Sequence, residues 1–191
     1  NTMYAIDAKT KEKKEVEFMA GPTFMVPNAK RTRFYLASSD SNMLTIINPS
    51  IKNVIKNIEV GTKPNYAAVS DDELFAVTTN KDSNDISVIP LKLQKESHRI
   101  PTGITPVSVA ISKNNQLVFV ANKDSGDLAV VSLNTMKVVK RIDIGTPTHV
   151  KFIGDRVYVA SQTKNVVYII DIKKLKIIGS IPTGIGPISI V

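Results

Sequence analysis

Chemistry in this 191-residue chain would have to come from two histidines and from a set of side chains recurring two places after a proline. That set is Phe24, Tyr66, Ser108, His149 and Ser189, and the position after each is apolar: Met25, Ala67, Val109, Val150 and Ile190. A position that varies between phenyl, phenol, hydroxyl and imidazole beside an apolar neighbour is expected to face a channel or its rim. These five are the candidate ligand-binding residues. The competing reading is that they plug a narrow channel. Only His149 among them titrates near neutral pH, so it alone could act as general base, metal ligand or axial haem ligand. A bond from His149 to a neighbouring loop is the structural alternative. His98, in Glu96-Ser-His98-Arg-Ile100, belongs to an outer strand exposed to solvent.

Other signals are weaker. Two distant histidines and no cysteine cannot build a zinc site without carboxylates, so no metal site is expected. Asn80-Lys-Asp-Ser-Asn-Asp85 and Asn122-Lys-Asp-Ser-Gly-Asp127 resemble calcium loops but lack the acidic ligand that completes an EF-hand. Turn chemistry, in which Asn and Asp bond their own backbone, explains both. Gly184-Ile-Gly186 runs into Pro187 and makes no dinucleotide cradle, and no Gly-x-Ser-x-Gly elbow occurs. No catalytic residue can be assigned.

Composition narrows the class. The chain is 42% hydrophobic and 22% charged, which suits a sizeable core and not a disordered tail. No apolar run approaches the roughly 18 residues of a membrane span. The lack of cysteine leaves the redox compartment open. The net charge of +8 is diffuse: 0 over 1–20, +3 over 21–60, −1 over 61–102, +2 over 103–144 and +4 over 145–191. With aromatics at only 6% there is no basic patch interleaved with rings, so a nucleic-acid partner is not expected.

The elements that must position these residues come from a repeat. Gly21-Pro22, Gly61-Thr-Lys-Pro64, Gly103-Ile-Thr-Pro106, Gly145-Thr-Pro147 and Gly184-Ile-Gly-Pro187 lie 40, 42, 42 and 39 residues apart by their glycines. An Asn or Ser follows in phase, 16 residues after the first three prolines (Ser38, Asn80, Asn122) and 14 after the fourth (Ser161). Between the markers run short β-branched segments separated by turn signals, four per period. The third-strand set is Leu44-Thr-Ile-Ile47, Ile86-Ser-Val-Ile89, Leu128-Ala-Val-Val131 and Val167-Tyr-Ile-Ile170. Lys9–Glu17 looks helical by composition, yet Val16 and Phe18 alternate with Glu15 and Glu17, and the phase of the repeat demands a turn and a strand. Four strands in about 40 residues is the signature of a β-propeller blade. The fold class is therefore all-β: a β-propeller of four-stranded antiparallel blades, expected to be part of a larger ring, with a closed five-bladed ring carrying a defective blade, or closure between chains, as the alternatives.

Tyr35-Leu-Ala-Ser38, Val77-Thr-Thr-Asn80, Phe119-Val-Ala-Asn122 and Tyr158-Val-Ala-Ser161 resemble the Tyr-Val-Thr-Asn motif of the YVTN-type propeller repeats. The Gly-x-x-Pro links and the Asn-Lys-Asp-Ser-x-Asp turns are similar too. The resemblance spans nearly the whole chain and is weakest in the first block, where Ser38-Ser-Asp-Ser-Asn42 fills the turn. It implies a fold shared with archaeal surface-layer proteins, exported bacterial propellers and the haem-binding propeller of nitrite reductases. It also implies an extracytoplasmic location, periplasmic or at the cell surface.

The expected organisation is a trailing half-blade over 1–20, blades over 21–60, 61–102, 103–144 and 145–184, and the first strand of a further blade over 185–191. In up-and-down sheets alternate turns share a face. Lys63, Asn65, Thr105 and Thr148 from the links should therefore gather with Lys81, Asp82, Lys123 and Asp124 from the turns. The leading functional expectation is a non-enzymatic binding or scaffold module without cofactor, meeting a protein partner or small-molecule ligand at that face and associating with itself through open propeller edges. One alternative is a haem-cofactor-binding propeller related to nitrite reductase or its maturation proteins, with His149 as ligand. The other is a lactonase-like or lyase-like enzyme.

Overall fold

The computed structural model describes residues 2–17, 19–49 and 53–190; Asn1, Phe18, Ser50, Ile51, Lys52 and Val191 lie outside the described residues. A hairpin of β1 (Thr2–Ile6) and β2 (Lys13–Glu17) comes first, so the Lys-rich N-terminal segment is turn and strand rather than helix. Four antiparallel sheets follow. The first blade holds β3 (Pro22–Pro27), β4 (Phe34–Ser38), β5 (Met43–Asn48) and β6 (Asn53–Glu59). The second holds β7 (Pro64–Val69), β8 (Phe75–Asn80), β9 (Asp85–Pro90) and β10 (His98–Pro101). The third holds β11 (Pro106–Ile111), β12 (Leu117–Asn122), β13 (Asp127–Ser132) and β14 (Lys137–Asp143). The fourth holds β15 (Pro147–Ile153), β16 (Arg156–Ser161), β17 (Val166–Asp171) and β18 (Lys176–Pro182). Within each sheet the strands pair in chain order, and the described residues contain no helix. The fold is a β-propeller of four blades.

Each inner blade buries both faces, which is why its middle strands read as continuous apolar runs instead of alternating. Side chains of successive residues point to opposite sides. Val118 and Val120 of β12 accordingly join Val77, Ile86 and Val88 of the second blade in one core. Phe119 and Ala121 join Val150, Val157 and Val159 of the fourth in another. Tyr35, Leu44 and Ile46 pack on Ala67, Ala76 and Ile89 between the first and second blades. The outer strands are mostly exposed; Val139 of β14 keeps 49% of its surface.

The two sequence markers meet in space. Each link proline is the cross-strand partner of the in-phase Asn or Ser: Pro22 with Ser38, Pro64 with Asn80, Pro106 with Asn122, Pro147 with Ser161. The constant spacing is therefore the length of one hairpin. In the second and third blades the link glycine lies against the marker. A Cβ on Gly103 would fall 2.7 Å from Cγ of Asn122, and one on Gly61 would overlap the Asn80 amide, so glycine is required by close approach. Asn80 and Asn122 each donate from Nδ2 to Oδ1 of the first residue of the third strand, Asp85 and Asp127, at 2.7 Å.

One irregularity recurs in every blade. The register slips by one residue just after the link proline, leaving Thr23, Asn65, Val107 and Thr148 without a ladder partner. Residues 187–190 belong to no sheet, but they lie alongside β15: Thr148 Oγ1 donates to the Pro187 carbonyl at 2.9 Å.

Candidate functional site

Four of the five candidate residues converge. Phe24, Tyr66, Ser108 and His149 occupy the same place on β3, β7, β11 and β15, the innermost strands of their blades. The rings of Phe24 and Tyr66 stack with centroids 3.7 Å apart. The Tyr66 hydroxyl reaches His149 Nε2 at 2.9 Å, joining the second blade to the fourth. Ser108 Oγ accepts from the Val150 backbone N–H at 3.2 Å and also meets the Tyr66 phenol. Ser189 is exposed and does not join this cluster, although the backbone N–H of its neighbour Ile190 donates to His149 Nδ1 at 2.9 Å.

That last bond fixes the imidazole. A backbone amide can only donate, so Nδ1 is bare, the neutral ring carries its proton on Nε2, and Nε2–H donates to the Tyr66 oxygen. Burial, helped by the charge of Lys151, holds the imidazole below the usual histidine range. Burial pushes the Tyr66 phenol above its ordinary value, against a smaller opposing effect of the Ser108 bond. To ligate a haem iron, His149 would have to release either Tyr66 or Ile190. Among the described residues no group of three or more His, Cys, Asp and Glu side chains is placed to hold a metal.

The slipped residues tie the blades together next to this layer. Thr23 Oγ1 donates to the Pro64 carbonyl at 3.1 Å. Asn65, with its amide turned so that donor meets acceptor, reaches the Pro106 carbonyl at 3.0 Å. Thr148 makes the equivalent bond to Pro187. The set Ser108 and His149 adds a second stitch, each accepting a backbone N–H of the following blade or segment, from Val150 and from Ile190.

Cavities lie on both sides of the Phe24–Tyr66–His149 layer. The link face carries a bowl of about 550 Å³ that includes Lys63, Asn65, Thr105, Lys81, Asp82, Lys123 and Asp124, seven of the eight residues expected to gather there. Thr148, the eighth, is turned toward Pro187 instead. Thr23, Ser39 and Val107 complete the lining; the repeat register could have found them, since Thr23 and Ser39 each lie 42 residues before Asn65 and Lys81. Lys63 is paired with Asp40 at 2.7 Å and Asp124 accepts from Thr105 Oγ1 at 2.6 Å. Lys81 and Lys123 have no side-chain partner among the described residues and remain available to a ligand, while Asp82 lies close enough to the Lys63 ammonium to attract it. The second cavity, about 260 Å³, is lined by inner-strand residues of all four blades together with Tyr66, His149 and Ile190. His98 sits at the start of β10, exposed, with Nδ1 3.1 Å from Ser97 Oγ.

The sequence matches no family model, and no curated protein is similar to it. Solved structures share its architecture. Hydrazine synthase of Kuenenia stuttgartiensis superposes with a TM-score of 0.79 at 19% identity, over 92% of this chain and 52% of that one. A functionally unknown protein from Desulfotomaculum acetoxidans gives 0.85 at 15% identity, over 97% and 64%. U3-55K gives 0.75 at 11%, over 87% and 55%. The chain thus spans about half to two thirds of these structures, and at such identities the likeness is one of fold.

Proposed function

We propose that this chain is a non-enzymatic binding module of the YVTN propeller type, acting outside the cytoplasm and engaging a ligand or protein partner through the bowl on its link face. The observation that carries the reading is the bowl itself. Three blades contribute to it at repeat-related positions, and Lys81 and Lys123 stand in it with no side-chain partner among the described residues. The inner-strand Ser108 and His149, the residues that nucleophilic or acid–base chemistry would use, are engaged in stitching blades together. The proposed location rests on the resemblance of the repeats, and a secretory signal in the full reading frame is the observation that checks it.

Two ammonium groups favour a partner that brings negative charge, and attraction between exposed groups is screened by salt. Citrate and a poly-glutamate peptide are suitable probes, followed by amide chemical shifts. Saturable shifts at Lys63, Lys81, Asp82 and Lys123 are expected, weakened by salt and by the double variant Lys81→Gln/Lys123→Gln. Absence of shifts on this face with both probes would refute the bowl as the binding site.

A further inference from the structure

The cavity on the other side of the Phe24–Tyr66–His149 layer differs from the bowl in kind. Val26, Ala67, Val69, Val109 and Phe152 give it an apolar wall. Its polar groups are few and adjacent: the bonded pair Tyr66 and His149, and Lys151, one residue along β15 from the buried Val150. Lys151 is half-buried, lines the cavity and has no ion-pair partner among the described residues. An apolar concavity with a small number of convergent polar groups is the usual form of a small-molecule site. A volume of about 260 Å³ suits a ligand of benzoate or hexanoate size rather than a large cofactor.

We infer that this axial cavity binds a small organic anion, an aromatic or short aliphatic carboxylate, with its hydrocarbon body against the valine and alanine wall and its carboxylate on Lys151. Charge complementarity selects the anion: the ammonium of a half-buried lysine without an ion-pair partner among the described residues gains a charge-assisted hydrogen bond, stronger than one between neutral groups. The Tyr66–His149 pair closes the end of the cavity toward the bowl, so the two sites are separate and the inference stands independently of the link-face reading.

The test is titration of benzoate into the isotopically labelled 191-residue chain, with benzamide as the neutral isostere. Saturable amide shifts are expected for residues 66–69, 109–110 and 149–152. Benzamide should bind about tenfold more weakly or worse, and Lys151→Gln should lower benzoate affinity by a similar factor. Lys81→Gln/Lys123→Gln should leave it unchanged, which separates this site from the bowl. A carboxylate beside the imidazole should also raise the His149 titration midpoint, an effect benzamide cannot produce. Equal affinity for benzoate and benzamide, shifts centred on the link face, or no saturable response up to about 10 mM would overturn the proposal.

Discussion

Gly103 and Asn122 share a space that admits one side chain. A methyl at Gly103 would sit 2.7 Å from Asn122 Cγ, and Asn122 cannot retreat without losing its 2.7 Å bond to Asp127. Gly103→Ala should therefore destabilise by about 1–3 kcal/mol through overpacking. Asn122→Ala should cost about 1.5–3 kcal/mol, because the bond it loses ends on a carboxylate. The double variant should cost less than the sum, since removing the Asn side chain makes room for the methyl. Strict additivity in urea unfolding would contradict the shared-space account.

Two titrating groups, the half-buried His149 and the buried Asp85, give opposite pH slopes. His149 is held below its usual range, mainly by burial, so its contribution is present above about 6.5 and lost as pH falls through the folded value. Asp85 is raised, again chiefly by burial, despite bonds from Asn80 and Ser83. Its contribution is present below about 3.9 and lost as pH rises through the folded value. Relative to the parent, His149→Gln should gain stability as pH falls from 7, and Asp85→Asn should gain as pH rises from 4. Melting temperatures across this range check both signs. The carboxylate at the equivalent place in the next blade, Asp127, has Arg141 at 2.7 Å, whereas the matching Arg99 is occupied by Glu96 at 3.1 Å.

At the scale of the element, β13 and β17 show what a neighbouring blade contributes. Leu128, Ala129, Val130 and Val131 are fully buried between two sheets, while the matching Val167, Tyr168 and Ile169 are only half-buried. Beside them Ile178 and Ile181 of β18 are exposed at 44% and 48%. Such an apolar sheet face tends to find a partner. Ile178→Lys/Ile181→Lys should lower self-association of this chain in sedimentation velocity while leaving its melting temperature within a few degrees, as expected for surface substitutions. Unchanged association would place the sticky surface elsewhere.

The strands were legible in the sequence because glycine, proline and Asn or Ser mark fixed points of one hairpin, and those spacings are covalent. The bowl was legible in large part because antiparallel topology forces links and turns onto one face. Thr148 and Lys151 were not. A strand's period of two fails at a slipped register, so the direction of a side chain beside the bulge cannot be counted from its neighbours. The tautomer of His149 was equally hidden, since it depends on Ile190, 41 residues away, in a segment that forms no ladder.

For the whole molecule, the blades form a series in which each packs on the next through its own core. Stability in such a quasi-linear stack comes from nearest-neighbour interfaces. The second and third blades each have a neighbour on both faces, so amides of β8, β9, β12 and β13 should be the slowest to exchange with solvent. Those of the β1–β2 hairpin and of β18 should be the fastest. Uniform protection across the chain, read by hydrogen exchange, would mean that the stack opens only as one unit.

The slipped residues Thr23, Asn65, Val107 and Thr148 hold side chains at the ring's inner margin but take no part in the strand ladders. The ladders within each sheet are therefore indifferent to what is placed there, although Thr23, Asn65 and Thr148 also bond the next link's carbonyl and Val107 alone does not. Three of the four line the bowl, so its chemistry can be rewritten by substitution while the sheets that shape it keep their pairing. Selectivity at such a position is free to drift on a different clock from foldability, and a combinatorial library at position 107, with Thr23 and Asn65 kept for their inter-blade bonds, would sample new recognition without sampling new folds.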